Sequence, residues 1–156
     1  FLKIIHTYPL PIVGGIYGDI GPDAFGLNVS FDLRIATDKT VISHPNLQLG
    51  FPPSALLSFY LIQGFGPHRA TELILTKSKI SSQEALDLGL ITHITSTENV
   101  KDTCLEKLRI LSTIPDHTLV ESRHMLQPSI DAVREYMDAG FESALRCLHR
   151  IISNDI

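Results

Sequence analysis

The sequence predicts a mixed α/β fold with a largely covered sheet and a helical C-terminal region. Three observations carry this. Short β-branched runs alternate with helical patterns as far as Ile94, as in layered α/β domains. Beyond Thr95 the apolar residues keep only helical spacing. And 44% of the 156 residues are hydrophobic against 19% charged, the balance of a chain with a packed core.

The elements follow in order. Residues 1–8 read as the end of an apolar helix stopped by Pro9 and Pro11, since proline removes a donor and clashes with the preceding turn. Ile12 to Tyr17 is apolar with two glycines inside, which predicts a buried strand that another backbone approaches closely. Pro22 suits the first position of a helix running to Phe31, because its missing N–H has no helical acceptor to lose. Asp32 to Thr37 and Thr40 to Ser43 read as short strands joined by a polar turn at Asp38-Lys39. From Pro53 apolar residues cover most of a helix surface, and Gly64-Phe-Gly-Pro breaks that helix. His68 to Thr76 forms a second helix, with Ala70, Leu73 and Ile74 on one face. Ser81-Ser-Gln-Glu84 is a capping box, and the short helix it opens stops at Gly89. Leu90 to Ile94 is a strand. Leu105, Leu108 and Leu111 to Ile114 line a helix that Pro115 ends. Ile130, Val133, Met137, Phe141, Ala144, Leu148 and Ile151 step by three or four, so 129–153 is one long amphipathic helix. Four short strands make a small sheet for so many helices, so further strands are expected from outside this sequence.

Composition excludes several functions. The net charge of −4 gives no basic footprint for nucleic acid. No apolar run approaches the roughly 20 residues that span a bilayer. Two cysteines, Cys104 and Cys147, fit a reduced, cytoplasmic setting better than a disulfide framework. The seven histidines show no metal-ligand spacing, so no metal is expected. No phosphate-loop or Gly-x-Ser-x-Gly motif is present.

Several segments are distinctive together: Pro11-Ile-Val-Gly-Gly-Ile-Tyr-Gly18, Asp32-Leu-Arg-Ile-Ala-Thr-Asp38, Pro45 with Leu49-Gly50, Gly66-Pro-His-Arg-Ala-Thr-Glu-Leu-Ile-Leu-Thr76, and Ile80-Ser-Ser-Gln-Glu-Ala-Leu-Asp-Leu-Gly-Leu-Ile91. In order and spacing they resemble the crotonase superfamily, the enoyl-CoA hydratase/isomerase family, without gaps from Leu10 to Gly50. The resemblance covers residues 9–94. It implies a ββα spiral, here its C-terminal portion. Residues 1–96 would belong to the core and 97–156 to a helical oligomerisation region building a homotrimer or a dimer of trimers. The missing portion would carry early strands and one of two oxyanion donors.

The resemblance also implies chemistry. Family members stabilise an enolate-like oxyanion on an acyl-CoA thioester with two backbone N–H groups, one at a helix start. That donor falls at Asp23, beside Gly21 and Ala24, which would contact the thioester. Hydratases use paired glutamates as acid and base. The matching positions here are Gly26 and Asn46, and neither side chain transfers a proton. His44 is then a candidate base near pH 7, or a buried histidine with a satisfied bond. Asp19 and Asp23 could each serve as an acid or a base, or simply suit a turn and a helix start. Tyr17 reads as core, Asn28 as a pocket or interior residue, Asp32 as structural, and Arg34 and Arg69 as solvated rather than phosphate-bound. Pro52-Pro53-Ser54 would stiffen a loop that lines the acyl pocket, with Pro53 in contact. The site expected is therefore Asp23, His44 and Asn46 as catalytic residues, with Gly21, Ala24 and Pro53 binding the substrate. No cofactor is expected beyond coenzyme A in the substrate. The resemblance implies a lyase or isomerase acting on acyl-CoA. The alternatives are a decarboxylase or thioester hydrolase of the superfamily, or a noncatalytic acyl-CoA-binding or structural homologue.

Overall fold

The computed structural model describes residues 2–44 and 46–153. Phe1 of the first helix and Pro45 of the third motif lie outside the described residues. The helices are α1 (Leu2–Thr7), α2 (Pro22–Asn28), α3 (Ala55–Thr76), α4 (Ser82–Asp87), α5 (Val100–Leu111), α6 (Asp116–Leu126) and α7 (Ile130–Ser153). The strands are β1 (Val13–Ile16), β2 (Leu33–Thr37), β3 (Val41–Ser43), β4 (Lys79–Ser81) and β5 (His93–Thr95).

One sheet has the order β1-β2-β5, all parallel, with Val13 opposite Leu33 and Ile35 opposite His93. Parallel neighbours need crossovers, and α2 supplies the first. β3 and β4 form a separate antiparallel pair, Ile42 opposite Ile80. The two strands read around Asp38-Lys39 thus do not pair with each other. Buried Thr37 and Thr40 hydroxyls bond across that turn at 2.9 Å and redirect the chain into the second sheet.

The core lies between α3 and the strands. Phe25, Ile42, Leu57, Leu61, Leu73, Ile80 and Ile91 are almost fully buried there. Each such side chain stabilises the fold by about 1.5–3 kcal/mol. Gly66 breaks α3 with φ 75°, a left-handed conformation, just before Pro67, so the expected interruption is a kink within one element. The Ser81 capping box forms in full, with Ser81 Oγ accepting from Glu84 N–H and the Glu84 carboxylate accepting from Ser81 N–H. Gly89 is left-handed at φ 66°.

Other expectations need correction. α2 ends at Asn28 because Ser30 and Phe31 N–H groups turn to the carbonyls of Leu27 and Asn28 in a tighter last turn. β5 starts at His93, since Leu90 and Ile91 donate to the Ala85 carbonyl as the end of α4. The close approaches at the β1 glycines come from side chains. A methyl on Gly14 would meet the Phe31 ring, and one on Gly15 would lie 2.9 Å from Val100 Cγ1. Tyr17 is exposed, not core. Val100 is the buried residue of α5, while Leu105 and Leu108 are exposed. α7 buries Val133 and leaves Phe141 and Ile152 exposed.

Two arginines tie the elements together. Arg34, read above as solvated, is half-buried among carbonyls. Its Nε donates to Leu90 O at 2.7 Å and its Nη1 to Phe31 O at 2.5 Å. It thereby caps chain ends after α2 and α4. Arg123 is 4% exposed, and its Nε donates to Asp32 Oδ2 at 2.8 Å. Its other nitrogens donate to the Tyr8 carbonyl and, at 3.0 Å, to Ile5 O. The same Asp32 oxygen accepts Ile12 N–H at 2.6 Å. Asp32 is structural, as the sequence indicates.

Arg123→Met leaves Asp32 without its cation and orphans two carbonyls. The expected loss is about 3–5 kcal/mol, read by urea unfolding. A loss below about 1 kcal/mol, the scale of an exposed pair, would show that the junction holds without it.

Candidate active site

The site residues sit on two segments that leave one edge of the fold together. Ile20 forms a parallel bridge with Ile42. Ile20 N–H donates to Val41 O at 3.0 Å, and Ser43 N–H donates to Ile20 O at 2.9 Å. Running parallel, the two segments place Gly21 and the start of α2 beside the end of β3, where His44 begins the next loop.

Gly21 is the N-cap of α2 in extended conformation, without a side-chain cap. The first turn of a helix leaves N–H groups without intrahelical acceptors, and Pro22 has none. Asp23 and Ala24 therefore present the free donors. Gly21, Asp23 and Ala24 are all exposed, so the donors face outward. α2 has only two turns, and its local N–H groups matter more than its dipole.

His44 is buried, and its N–H donates to Ser78 O at 2.9 Å. Burial pushes the imidazole below its ordinary 6.5, only partly opposed by a bond to its own main chain, so it is neutral at pH 7. Asn46 organises the following loop. Its carbonyl accepts from Leu49 N–H at 3.1 Å and Phe51 N–H at 2.9 Å, and its Nδ2 donates to Pro52 O at 3.2 Å. A loop-pinning role accounts for asparagine here. Pro53 is half-buried in the extended stretch before α3. Among the described residues no hydrogen bond joins Asp23, His44 and Asn46 to one another. The structure brings their backbones to one edge and leaves the side chains separate.

The other candidates have structural partners or none. Asn28 Nδ2 donates to Ala24 O at 2.7 Å within its own helix. Asp19 is exposed. Arg69 pairs with Glu72 at 2.5 Å on the surface. Among the described residues no cluster of histidine, cysteine, aspartate or glutamate could hold a metal ion.

Gly26 is the most informative position. It is buried against the first turn of α3. A methyl built on it would lie 2.7 Å from Leu56 Cβ and 3.1 Å from Leu57 N. The glycine is what lets α2 pack against α3, so the space a glutamate would need is occupied by backbone.

Two cavities of about 570 Å3 lie away from this edge. One, between α1 and α6, is lined by His6, Tyr8, Arg123 and His124. The other is lined by Phe31, Arg34, Tyr60 and Leu126. Between them Tyr60 Oη and His6 Nε2 are 3.2 Å apart. Burial pushes the Tyr60 phenol up to about 12. Burial first, then the Arg123 charge, pushes His6 down, and the phenol and the imidazole share one hydrogen bond. Sequence reasoning passed over Tyr60 and Arg123 because each sits within an otherwise ordinary helical pattern.

Gly26→Glu is expected to lower stability by about 1–3 kcal/mol through overpacking and to restore no hydration activity. Gly26→Ala combined with Leu56→Ala should not recover the loss, because Leu56 Cβ remains. Thermal unfolding and hydration of an enoyl-CoA read the two effects. A stable, hydrating Gly26→Glu would refute the packing role.

Comparison with known proteins agrees with this architecture. The enoyl-CoA hydratase/isomerase family matches residues 1–150. Methylmalonyl-CoA decarboxylase of Escherichia coli (strain K12) is 31% identical over 110 residues, 70% of this chain and 42% of that protein. The 3-hydroxyisobutyryl-CoA hydrolase-like protein 1, mitochondrial, of Arabidopsis thaliana is 35% identical over 123 residues, 78% of this chain and 30% of that protein. The crystal structure of an enoyl-CoA hydratase/isomerase from Pseudoalteromonas atlantica T6c superposes with a TM-score of 0.84 at 21% identity, covering 95% of this chain and 59% of that one. The chain thus spans less than half the length of these two curated relatives. The three-stranded parallel sheet, the edge carrying the α2 start, and the match along nearly the whole chain lead to one assignment: this chain belongs to the enoyl-CoA hydratase/isomerase family.

Proposed function

We propose that this chain supplies part of an acyl-CoA-processing site in which the Asp23 N–H stabilises a thioester oxyanion, without paired carboxylates. The observation that carries this is the outward-facing first turn of α2, with Asp23 N–H as its first free donor, fixed beside the His44 loop by the Ile20–Ile42 bridge. A neutral oxygen that gains negative charge in the transition state binds such a donor more tightly as it reacts. The second donor would come from residues outside this sequence.

The side chains favour a reaction that needs an oxyanion site more than an acid–base pair. Gly26 and Asn46 cannot move a proton, and their partners show structural uses for both. Decarboxylation of a malonyl-type thioester fits. The Cα–carboxylate bond breaks, carbon dioxide leaves, and the electron pair moves onto the thioester oxygen held by N–H. Cα then takes a proton from water, with neutral His44 as the relay. The likeness to methylmalonyl-CoA decarboxylase favours this reading over hydration. Hydrolysis of the thioester is the second reading, favoured by the hydrolase-like relative.

The proposal extends to assembly and setting. The exposed apolar residues of α5 and α7, such as Leu108, Ile110, Phe141 and Ile152, would be covered by further copies in a homotrimer or dimer of trimers. Residues 97–156 would then be the oligomerisation region and 1–96 the core. A clean monomer in sedimentation would exclude this. Cys104 and Cys147 are unpaired, which suits a cytoplasmic setting. No described helix is long and apolar enough to cross a membrane.

The test is a panel of malonyl-type, β-keto, enoyl and saturated acyl-CoA thioesters on the whole protein. Carbon dioxide release from the malonyl-type thioester is expected. Replacing the amide between residues 22 and 23 by an ester deletes that single N–H and should lower kcat by about 10²–10³. Asp23→Asn keeps the N–H and should keep turnover. No turnover of any thioester by folded protein would refute the reading in favour of a noncatalytic homologue.

A further inference from the structure

The candidate site loop and the last helix lie side by side. α3 and α7 pack antiparallel. Val133 and Met137 meet Leu56 and Phe59. Tyr136 meets the Phe59 ring edge-on, with centroids 5.6 Å apart. Farther along, a methyl built on Gly140 would stand 2.4 Å from Ala55 Cβ. The contact continues upstream of Ala55, where a methyl on Gly50 would lie 3.3 Å from Ile151 Cδ1.

The lengths agree. Gly50 to Ala55, when extended, spans roughly 16 Å at about 3.3 Å per residue. Gly140 to Ile151 in a helix also spans roughly 16 Å at about 1.5 Å per residue. With contacts at both ends, the segment that follows the left-handed Gly50 runs alongside α7 as far as Ala55. Burial agrees too. Gly140, Ser143, Ala144 and Cys147 are half-buried, while Phe141, Glu142, Leu145 and Arg146 around them are exposed. Positions 140, 144, 147 and 151 share one helical face.

The loop needs such support. Ordering a residue costs about 1–2 kcal/mol of backbone entropy. Pro52 and Pro53 have no N–H to offer in return, and the Asn46 bonds hold only one end.

We propose that the stretch of α7 from Gly140 to Ile151 is the platform that fixes the loop from Asn46 to Ser54, with Gly140 and Ile151 as positioning residues for the candidate site. The link to the site rests on the reading of this loop as part of the acyl-CoA pocket; the platform itself does not.

Hydrogen exchange on the whole protein tests it. The Leu49, Gly50 and Phe51 amides are all hydrogen-bonded within the loop. Gly140→Val forces α7 away from Ala55, and Ile151→Ala removes the side chain over Gly50. Both should speed exchange of these amides roughly fivefold or more, while the Ile35 and Ala36 amides of β2 keep their protection. Exchanging the two residues, Gly140→Ala with Ala55→Gly, should restore protection, because the new methyl would then face Ala55 Cα at 3.5 Å, an ordinary contact. Acetyl-CoA binding by calorimetry should weaken by a similar factor in Ile151→Ala. Should Gly140→Val fail to fold, Ile151→Ala decides alone. Unchanged loop exchange, or exchange that rises equally in β2, would overturn the platform. A loosened loop in a protein that binds no thioester would uphold the platform and overturn the functional reading instead.

Discussion

The Asp32–Arg123 pair is the constraint on which the arrangement of this chain depends. Asp32 stands where β2 begins and accepts the Ile12 N–H at the entrance to β1, so one carboxylate sets the register of the first two strands. Arg123 comes from α6, far along the chain, and gathers the Ile5 and Tyr8 carbonyls at the end of α1. Four elements therefore meet at one charged junction. A buried pair of this kind adds little net stability compared with apolar packing, but its geometry is demanding, and few other arrangements satisfy all its donors. Arg34 does related work with carbonyls alone, closing the turns after α2 and α4. Once β1 and β2 are in register, the position of α2 between them follows.

The proposed chemistry then depends on packing rather than on side-chain acids. The Asp23 N–H cannot rotate toward a substrate as a carboxylate can. It points where the backbone of α2 points. That direction is set by the Ile20–Ile42 bridge at one end and by the fit of Gly26 against Leu56 and Leu57 at the other. A glycine within a helix costs about 1 kcal/mol relative to alanine. Here that cost is offset by close approach of two helices and burial of Phe25 and Leu57 between them.

Much of this was legible in the sequence, and the failures have physical reasons. The capping box at Ser81, the left-handed Gly89, the interruption at Gly66 and the long C-terminal helix all rest on local rules that tertiary contacts did not override. β4 escaped notice because three residues, Lys79 to Ser81, carry too little alternation and overlap the helix cap. α6 is covered only by the helical reading of everything beyond Thr95, without bounds of its own, because Arg123 is buried while Met125 and Leu126 are exposed. Gly26 was read chemically, as a missing carboxylate. The signal for its packing role was present, since an unexplained glycine inside a helix often marks a close approach. The use of Asn46 as a loop pin was not readable, because its bonds to Phe51 and Pro52 depend on the loop's path.

The two edges of the proposed site have different origins. The α2 edge is held by the sheet, through strands whose register Asp32 fixes. The Asn46–Ser54 edge has no strand partner; Leu49, Gly50 and Phe51 N–H groups bond within its first half, but Pro52 and Pro53 have none to order the second. Its neighbours are α3, which it leads into, and α7, which lies along it. Backbone donors make an effective oxyanion site only where both walls hold their positions before the substrate arrives, because reorganisation during the reaction would consume the gain. On the proposed reading the long helix would support the site as well as the exterior. One face lies along the loop at Gly140 and Ile151, and a neighbouring face, with Phe141 and Leu145, is exposed. A contact on the outer face would then be felt at the loop through a single rigid element.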